Sequence, residues 1–221
     1  MQYVGSNIRK ENDFMSFVSM HLVDDGIIAI SDSKASIAYK SGEIREDKRR
    51  GRIPKIFSNN KFIFIYHGNN ELFSYSNKTT MEDYVENNLK DDIGFEAFFQ
   101  KMFHELCDSK PEYNDGKYYF IVGGKEDKDR YFILKIHFDI QNNIIQYSSK
   151  DYRYTYYSGG YDMVMNIYNQ YPFYHDINIF DYAKELKWLL THIIESVDTI
   201  SKAYNPVGLP VNVKVFQWLC L

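Results

Sequence analysis

The stretch Met15-Ser-Phe-Val-Ser-Met-His-Leu-Val-Asp-Asp-Gly-Ile-Ile-Ala-Ile-Ser-Asp-Ser-Lys-Ala-Ser36 decides the fold of this chain. Two apolar runs, Phe17 to Val23 and Ile27 to Ile30, flank the sequence Asp-Asp-Gly. Because Asp-Gly supplies the positive-φ residues of a tight two-residue turn, the stretch predicts a β-hairpin. The hairpin runs into a small, polar and charged cluster at residues 31–36.

A second pair of apolar segments follows about twenty residues later. Pro54-Lys55-Ile56-Phe57 precedes a predicted strand from Phe62 to Tyr66, which is closed by His67-Gly68. A serine at the start of one strand, an aspartate after its hairpin partner and a lysine on the next strand can converge in space. Ser16, Asp32 and Lys55 are therefore candidate catalytic residues.

The rest of the chain alternates between groups of strands and groups of helices. Apolar residues at helical spacing predict helices near 81–89, 94–108, 161–171 and 179–203, with Asn178 capping the last one. Short aromatic and β-branched runs predict strands at 118–122, 131–138, 144–147, 152–157 and 211–219. Gly123-Gly124 is interpreted as a strand-end turn, and Gly159-Gly160 as the opening of a helix. Seven apolar residues form the stripe of the long helix: Phe180, Ala183, Leu186, Leu190, Ile193, Val197 and Ile200.

Composition excludes several classes of protein. The 221 residues suit one large domain, and the net charge of −4 gives no support to nucleic-acid binding. No run approaches 18 apolar residues, so we expect no membrane span, and residues 1–15 lack a signal-peptide core. Two distant cysteines, Cys107 and Cys220, indicate free thiols in a reducing cytoplasm. The six histidines have no paired metal spacing, so neither a metal nor a cofactor is predicted.

The order of these motifs resembles the proteasome-type N-terminal nucleophile hydrolases. Asp32-Ser33-Lys34-Ala35-Ser36 stands where that family has Asp-Ser-Arg-Ala-Thr, and Lys55-Ile56-Phe57 stands where it has Lys-Ile/Val. Counting back from Asp32 without a gap, the family's nucleophilic threonine falls on Ser16. The resemblance implies an α+β fold, a four-layer αββα sandwich with two antiparallel sheets between helix layers. It also implies an N-terminal extension at residues 1–15 and a single domain at 16–221.

The resemblance further implies a role for each site residue. Ser16 would be the nucleophile, with its own α-amine as the base once residues 1–15 are removed, Lys55 would stabilise negative charge and Asp32 would orient that lysine. Lys34, Ser36 and Gly68 are predicted to contact the substrate, a peptide or a small amide. Since proteasome-type proteins assemble into rings, the resemblance is compatible with a homo-oligomer.

Two other hypotheses remain open. The family's Gly-Ser-Gly becomes Ser158-Gly159-Gly160, and its late Asp-x-x-Ser-Gly-Gly becomes Tyr204-Asn-Pro-Val-Gly-Leu209, without the aspartate or the serine. These departures favour a non-catalytic scaffold or binding protein with the same fold. The remaining hypothesis is a ligand-binding α/β domain that is unrelated to this family.

Overall fold

The computed structural model describes residues 16–38, 44–47, 51–68, 72, 79–109, 116–127, 130–174, 176–200 and 205–217. These residues form eleven strands and four helices. The strands are β1 (Phe17–Val23), β2 (Gly26–Ser31), β3 (Ser36–Ala38), β4 (Ile44–Glu46), β5 (Ile56–Ser58), β6 (Phe62–Gly68), β7 (Lys117–Asp127), β8 (Arg130–Asp139), β9 (Ile144–Tyr147), β10 (Thr155–Gly160) and β11 (Asn212–Phe216). The helices are α1 (Met81–Asn88), α2 (Phe95–Ser109), α3 (Asp162–Tyr168) and α4 (Ile179–Ile200).

The strands build two main antiparallel sheets and one small hairpin. One sheet has four strands in the order β10-β1-β2-β11, and the other has five in the order β5-β6-β7-β8-β9. The pair β3-β4 stands apart from both. The predicted hairpin is therefore confirmed, and its two strands lie at the centre of the four-stranded sheet.

Three apolar clusters define four layers. Helices α3 and α4 cover the outer face of the four-stranded sheet, where Phe17 and Ile28 pack with Leu186 and Leu190. Helices α1 and α2 cover the outer face of the five-stranded sheet. The third cluster lies between the sheets and joins residues of β1, β2, β6, β7 and β8: Val18, Met20, Ile27, Ile63, Ile65, Ile121 and Ile133. This is the predicted αββα sandwich. The hypothesis of an α/β domain with an unrelated fold is therefore wrong.

The turn of the first hairpin differs in detail from its prediction. Val23 pairs with Gly26, so the two loop residues are Asp24 and Asp25, and Gly26 is the first residue of β2. Gly26 has a positive φ of 151°, whereas neither loop residue does, so the loop is not the positive-φ Asp-Gly turn that the sequence predicts. A Cβ at Gly26 would lie 2.5 Å from the backbone oxygen of Phe216. The glycine therefore serves the close approach of β11 as well as the turn.

Both glycine pairs lie within strands, which corrects two predictions. Gly123 and Gly124 belong to β7. At Gly123 the facing sheet leaves no room for a side chain, since a Cβ there would lie 2.8 Å from Ile27 Cδ1. Gly159 and Gly160 end β10 instead of opening a helix, and α3 begins at Asp162. In both places, glycine permits close packing across the strands and does not break the chain direction.

The long helix confirms its predicted cap but not its whole stripe. Asn178 Oδ1 accepts hydrogen bonds from the backbone N–H groups of Phe180 (3.0 Å) and Asp181 (3.3 Å). The middle of the stripe is buried, but Phe180 is 54% exposed and Ile200 is 81% exposed. Ile179 and Tyr182 in the first turn of α4 are buried, so Phe180 lies on the outer side of that turn, and Ile200 is the last residue of the helix. Cys107 is a free thiol, whereas Cys220 and the extension at residues 1–15 lie outside the described residues.

Candidate functional site

The carboxylate of Asp32 is the centre of the candidate site. Asp32 follows β2 directly and is fully buried. Its Oδ1 accepts hydrogen bonds from the Phe17 N–H (2.9 Å) and from Lys55 Nζ (2.6 Å). Its Oδ2 accepts from the backbone N–H groups of Lys34 (3.0 Å) and Gly208 (3.3 Å). Four donors therefore compensate this carboxylate for the loss of water.

Lys55 forms a buried ion pair with Asp32. Its side chain is 1% exposed, and Nζ also donates to the backbone oxygen of Lys34 at 3.3 Å. Burial lowers the pKa of Lys55, and the charge of Asp32 opposes that change. Replacing a buried ion pair with apolar residues of similar size often leaves a protein equally stable or more stable. Stability alone therefore does not explain why this pair is present.

Ser16 stands next to this ion pair at the start of β1. Its side chain is largely buried, and its backbone oxygen accepts a hydrogen bond from the Tyr161 N–H at 2.7 Å. The following N–H, that of Phe17, binds Asp32 Oδ1. The fold therefore brings Ser16, Asp32 and Lys55 to one end of the space between the sheets, from three different strands or strand ends.

The three predicted substrate contacts have different environments. Lys34 Nζ donates to the backbone oxygen of Asn205 at 2.7 Å, and Ser36 Oγ donates to that of Pro206 at 3.3 Å. Both side chains thus hold the segment 205–208 against the site. Gly68 ends β6 with a φ of 100°, and among the described residues no atom outside its chain neighbours lies within 4 Å of the position that a Cβ would take.

A cleft of about 380 Å³ opens beside Lys55, between the edges of the two sheets. Its cationic side chains are Arg52, Lys55 and Lys214. Among the described residues, no group of three or more His, Cys, Asp or Glu side chains has a geometry that could hold a metal ion. Within the same residues, no helix is both long and apolar enough to cross a membrane.

Two further groups join the site through tertiary contacts. Gly208, which in the sequence only marks the entry to the last strand, supplies an N–H to Asp32 Oδ2 from a segment 176 residues away. The ring of His67 lies against Gly159, where a Cβ would be 2.5 Å from His67 Nε2. The sequence offered one signal for the second contact: a glycine at the place where the resembled family commonly has serine.

Comparison with solved structures identifies the class of fold. The Anbu complex from Pseudomonas aeruginosa, described as a helical assembly, superposes with a TM-score of 0.57 and 13% identity, over 91% of this chain and 81% of that one. Anbu from Yersinia bercovieri, described as an ancestral beta-subunit, gives 0.54 and 12% identity over 91% and 81%. A Gly-1 mutant of Anbu from Hyphomicrobium sp. strain MC1 gives 0.51 and 14% identity over 91% and 82%.

The chain therefore has the αββα sandwich fold that the Anbu structures have. Its sequence matches no protein-family model and no curated protein. At 12–14% identity, the likeness to these structures extends to the fold alone.

Proposed function

We propose that this protein is an amide hydrolase, acting on peptide bonds or on a small amide, with Ser16 as its nucleophile. One observation carries the proposal: the fully buried 2.6 Å ion pair of Lys55 and Asp32, which is linked to Ser16 through the Phe17 N–H. A cation held at this place has a direct use in amide hydrolysis, because negative charge develops on the substrate oxygen during attack.

The proposed reaction has two steps. The Ser16 hydroxyl oxygen attacks the amide carbonyl carbon while its proton passes to the Ser16 α-amine. The C–N bond then breaks, the leaving nitrogen takes that proton, and an ester remains on Ser16. Water hydrolyses the ester to a carboxylic acid and restores the hydroxyl. Lys55 stabilises the negative charge in each step, and Asp32 fixes the position of Lys55.

This chemistry requires that Ser16 is the first residue of the working protein. An α-amine has a pKa of roughly 7.7–8 and accepts a proton near neutral pH, whereas a peptide nitrogen does not. In the proposal, residues 1–15 are an extension and residues 16–221 are the single domain. Either autocatalytic cleavage after Met15 or translation from Met15 followed by removal of that methionine would free the amine.

The proposed substrate lies along the wall that Lys34, Ser36 and Gly68 border. Lys34 and Ser36 fix the 205–208 segment, and among the described residues no side chain crowds the Cβ position of Gly68. Assembly of several copies is part of the proposal, since one Anbu neighbour is described as a helical assembly. We place the protein in the cytoplasm, in keeping with its unpaired Cys107.

A non-catalytic protein of the same fold is the second candidate. The observation that favours it lies in the sequence: glycine stands at position 159 in place of the family's serine, and the late motif has Tyr204 in place of its aspartate and Val207 in place of its serine. Such a protein would keep the ion pair as a structural feature and would bind partners or peptides without cleaving them.

The decisive experiment compares two forms of the protein. One is the full chain, and the other begins at Ser16 after removal of an N-terminal fusion. Each is treated with a β-lactone, which acylates an activated hydroxyl, and with fluorogenic peptide amides. We expect a mass increase on the Ser16 peptide and hydrolysis in the form with a free amine only. Intact mass of the protein from its own cell then shows which form occurs naturally.

Two serine variants complete this test. Ser16→Ala should abolish both signals, whereas Ser19→Ala on the same strand should keep them, because Ser19 lies on the opposite face and contacts His21 at 3.0 Å. If the form that begins at Ser16 gains no adduct and hydrolyses no amide, the hydrolase proposal is wrong and the non-catalytic candidate replaces it.

A further inference from the structure

The imidazole of His67, on the five-stranded sheet, contacts the four-stranded sheet near the start of β1. On β6, Ile63 and Ile65 face the space between the sheets, and strand alternation points His67 the same way. Its ring reaches Gly159 of β10 so closely that a Cβ there would be 2.5 Å from Nε2 and 2.9 Å from Cδ2. His67 thus occupies the volume that any side chain at position 159 would need.

This contact adjoins Ser16. Gly159 pairs with Val18 and Gly160 pairs with Phe17 across the β10–β1 ladder. Val18 faces the space between the sheets, so alternation puts the Ser16 side chain on the same face, two residues nearer the strand end. His67 and Ser16 therefore share one end of this space.

The surroundings of His67 fix both its orientation and its charge. Its ring stacks on Tyr119 at 5.3 Å, and Tyr119 stacks on His137 at 4.6 Å. Burial, followed by the charges of Lys135 and Lys55, lowers the pKa of His67 to about 3. At neutral pH the ring is therefore uncharged and carries one hydrogen-bond donor and one acceptor.

We infer that His67 is a positioning residue for Ser16: it supplies, from the opposite sheet, the polar group that Gly159 lacks. The neutral imidazole orients the hydroxyl or the amine of Ser16 toward Lys55. The catalytic meaning of this inference rests on the proposed hydrolase function, while the contact itself does not.

Reactivity tests the catalytic part. In the form that begins at Ser16, His67→Ala should slow β-lactone acylation of Ser16 by about 100-fold, which is the order expected when a reacting group is misplaced by about 1 Å. His137→Ala is the matched control, since it also removes a ring stacked on Tyr119 but does not reach Gly159. It should react at close to the wild-type rate.

Substitutions at Gly159 separate a polar role from simple filling of space. In the His67→Ala background there is room for a side chain at this position, so Gly159→Ser should restore part of the lost rate and Gly159→Ala should not. Equal rates for these two double variants would overturn the inference, as would a wild-type rate for His67→Ala. Urea unfolding of each variant identifies any that fail to fold.

A spectroscopic measurement tests the contact without any activity. The ¹⁵N signals of the His67 ring nitrogens, recorded in the form that begins at Ser16, should shift on Ser16→Ala and stay unchanged on Ser19→Ala. An unchanged His67 signal in Ser16→Ala overturns the inference even if the enzyme is active. A shifted signal in a protein that cleaves no amide supports the contact while the hydrolase proposal fails.

Discussion

At the scale of single residues, Asp32 and Lys55 depend on each other. Each is a charge with almost no access to water, so removal of one leaves the other uncompensated. We expect Asp32→Asn to lower the free energy of unfolding by about 3–5 kcal/mol in urea denaturation. Asp181→Asn is the matched control, because Asp181 pairs with Lys184 on the surface at 2.9 Å and should cost less than about 1 kcal/mol. Equal losses would show that the Asp32–Lys55 pair is not held in a dry interior.

His21 makes a second residue-scale prediction, which concerns pH. It is buried beneath α3 and α4, and its Nε2 lies 2.8 Å from Tyr168 Oη. Burial lowers the pKa of His21 to about 3, against 6.5 for the free side chain. Between these values the unfolded state binds the proton and the folded state does not, so acidification destabilises the fold. The loss begins near pH 6.5 and ends near pH 3.

The expected size of this loss follows from the proton linkage. Each pH unit below 6.5 costs about 1.4 kcal/mol, so between pH 7 and pH 5 the contribution of His21 is about 2 kcal/mol. The free energy of unfolding should be measured at pH 7 and at pH 5 for both the wild type and His21→Gln, whose side chain does not titrate. The decrease from pH 7 to pH 5 should be about 2 kcal/mol larger in the wild type. An identical pH dependence in the two proteins would contradict the burial of a neutral His21.

At the scale of elements, α4 shows how far a periodic pattern predicts burial. Leu190 is fully buried against the four-stranded sheet, whereas Phe180 on the same predicted stripe is 54% exposed. We expect Leu190→Ala to cost about 2–5 kcal/mol and Phe180→Ala to stay within about 0.5 kcal/mol, both by urea unfolding. A large cost at Phe180 would mean that its ring is covered in the protein in solution.

The elements themselves follow the sequence closely. The first hairpin, the strand before His67 and the cap at Asn178 all appear as predicted, because turn residues, alternation and capping are local effects. The glycine pairs at 123–124 and 159–160 differ from the prediction, and the short strands β3 and β4 were not predicted. Gly-Gly is locally typical of turns. Here both pairs lie in strands, because side chains of the facing sheet fill the space above Gly123 and Gly159.

At the scale of the whole molecule, Gly123 sets how closely the two sheets approach. A Cβ there would lie 2.8 Å from Ile27 Cδ1 and 2.9 Å from Met20 Sδ, so Gly123→Ala should cost about 1–3 kcal/mol by overpacking. Ile27→Val removes the Cδ1 atom and should recover part of the loss in the double variant. Gly94→Ala serves as control, because no atom of the described residues other than its chain neighbours lies within 4 Å of its Cβ position. Additive losses in the double variant would contradict direct contact between the sheets at this point.

The site was predictable in part. Asp32 directly follows β2 and Lys55 directly precedes β5, and both stand in motifs that resemble those of the proteasome-type family, so the resemblance selected them. The position of Ser16 follows from its spacing to Asp32. No local signal identified the Gly208 N–H or the His67 ring, because each reaches the site from a distant segment and neither has a fixed spacing from it.

The sequence by itself predicted the first hairpin and the order of strands and helices, because turn chemistry and alternation are local. Its resemblance to the proteasome-type hydrolases implied the αββα sandwich and the candidate residues Ser16, Asp32 and Lys55. The tertiary structure decided which atoms meet. It put the Asp32 carboxylate among four donors, closed the space over Gly159 with His67, and turned two predicted glycine breaks into strands. The physical reason is that burial and contact across two sheets depend on residues far apart in sequence, whose spacing no local pattern records.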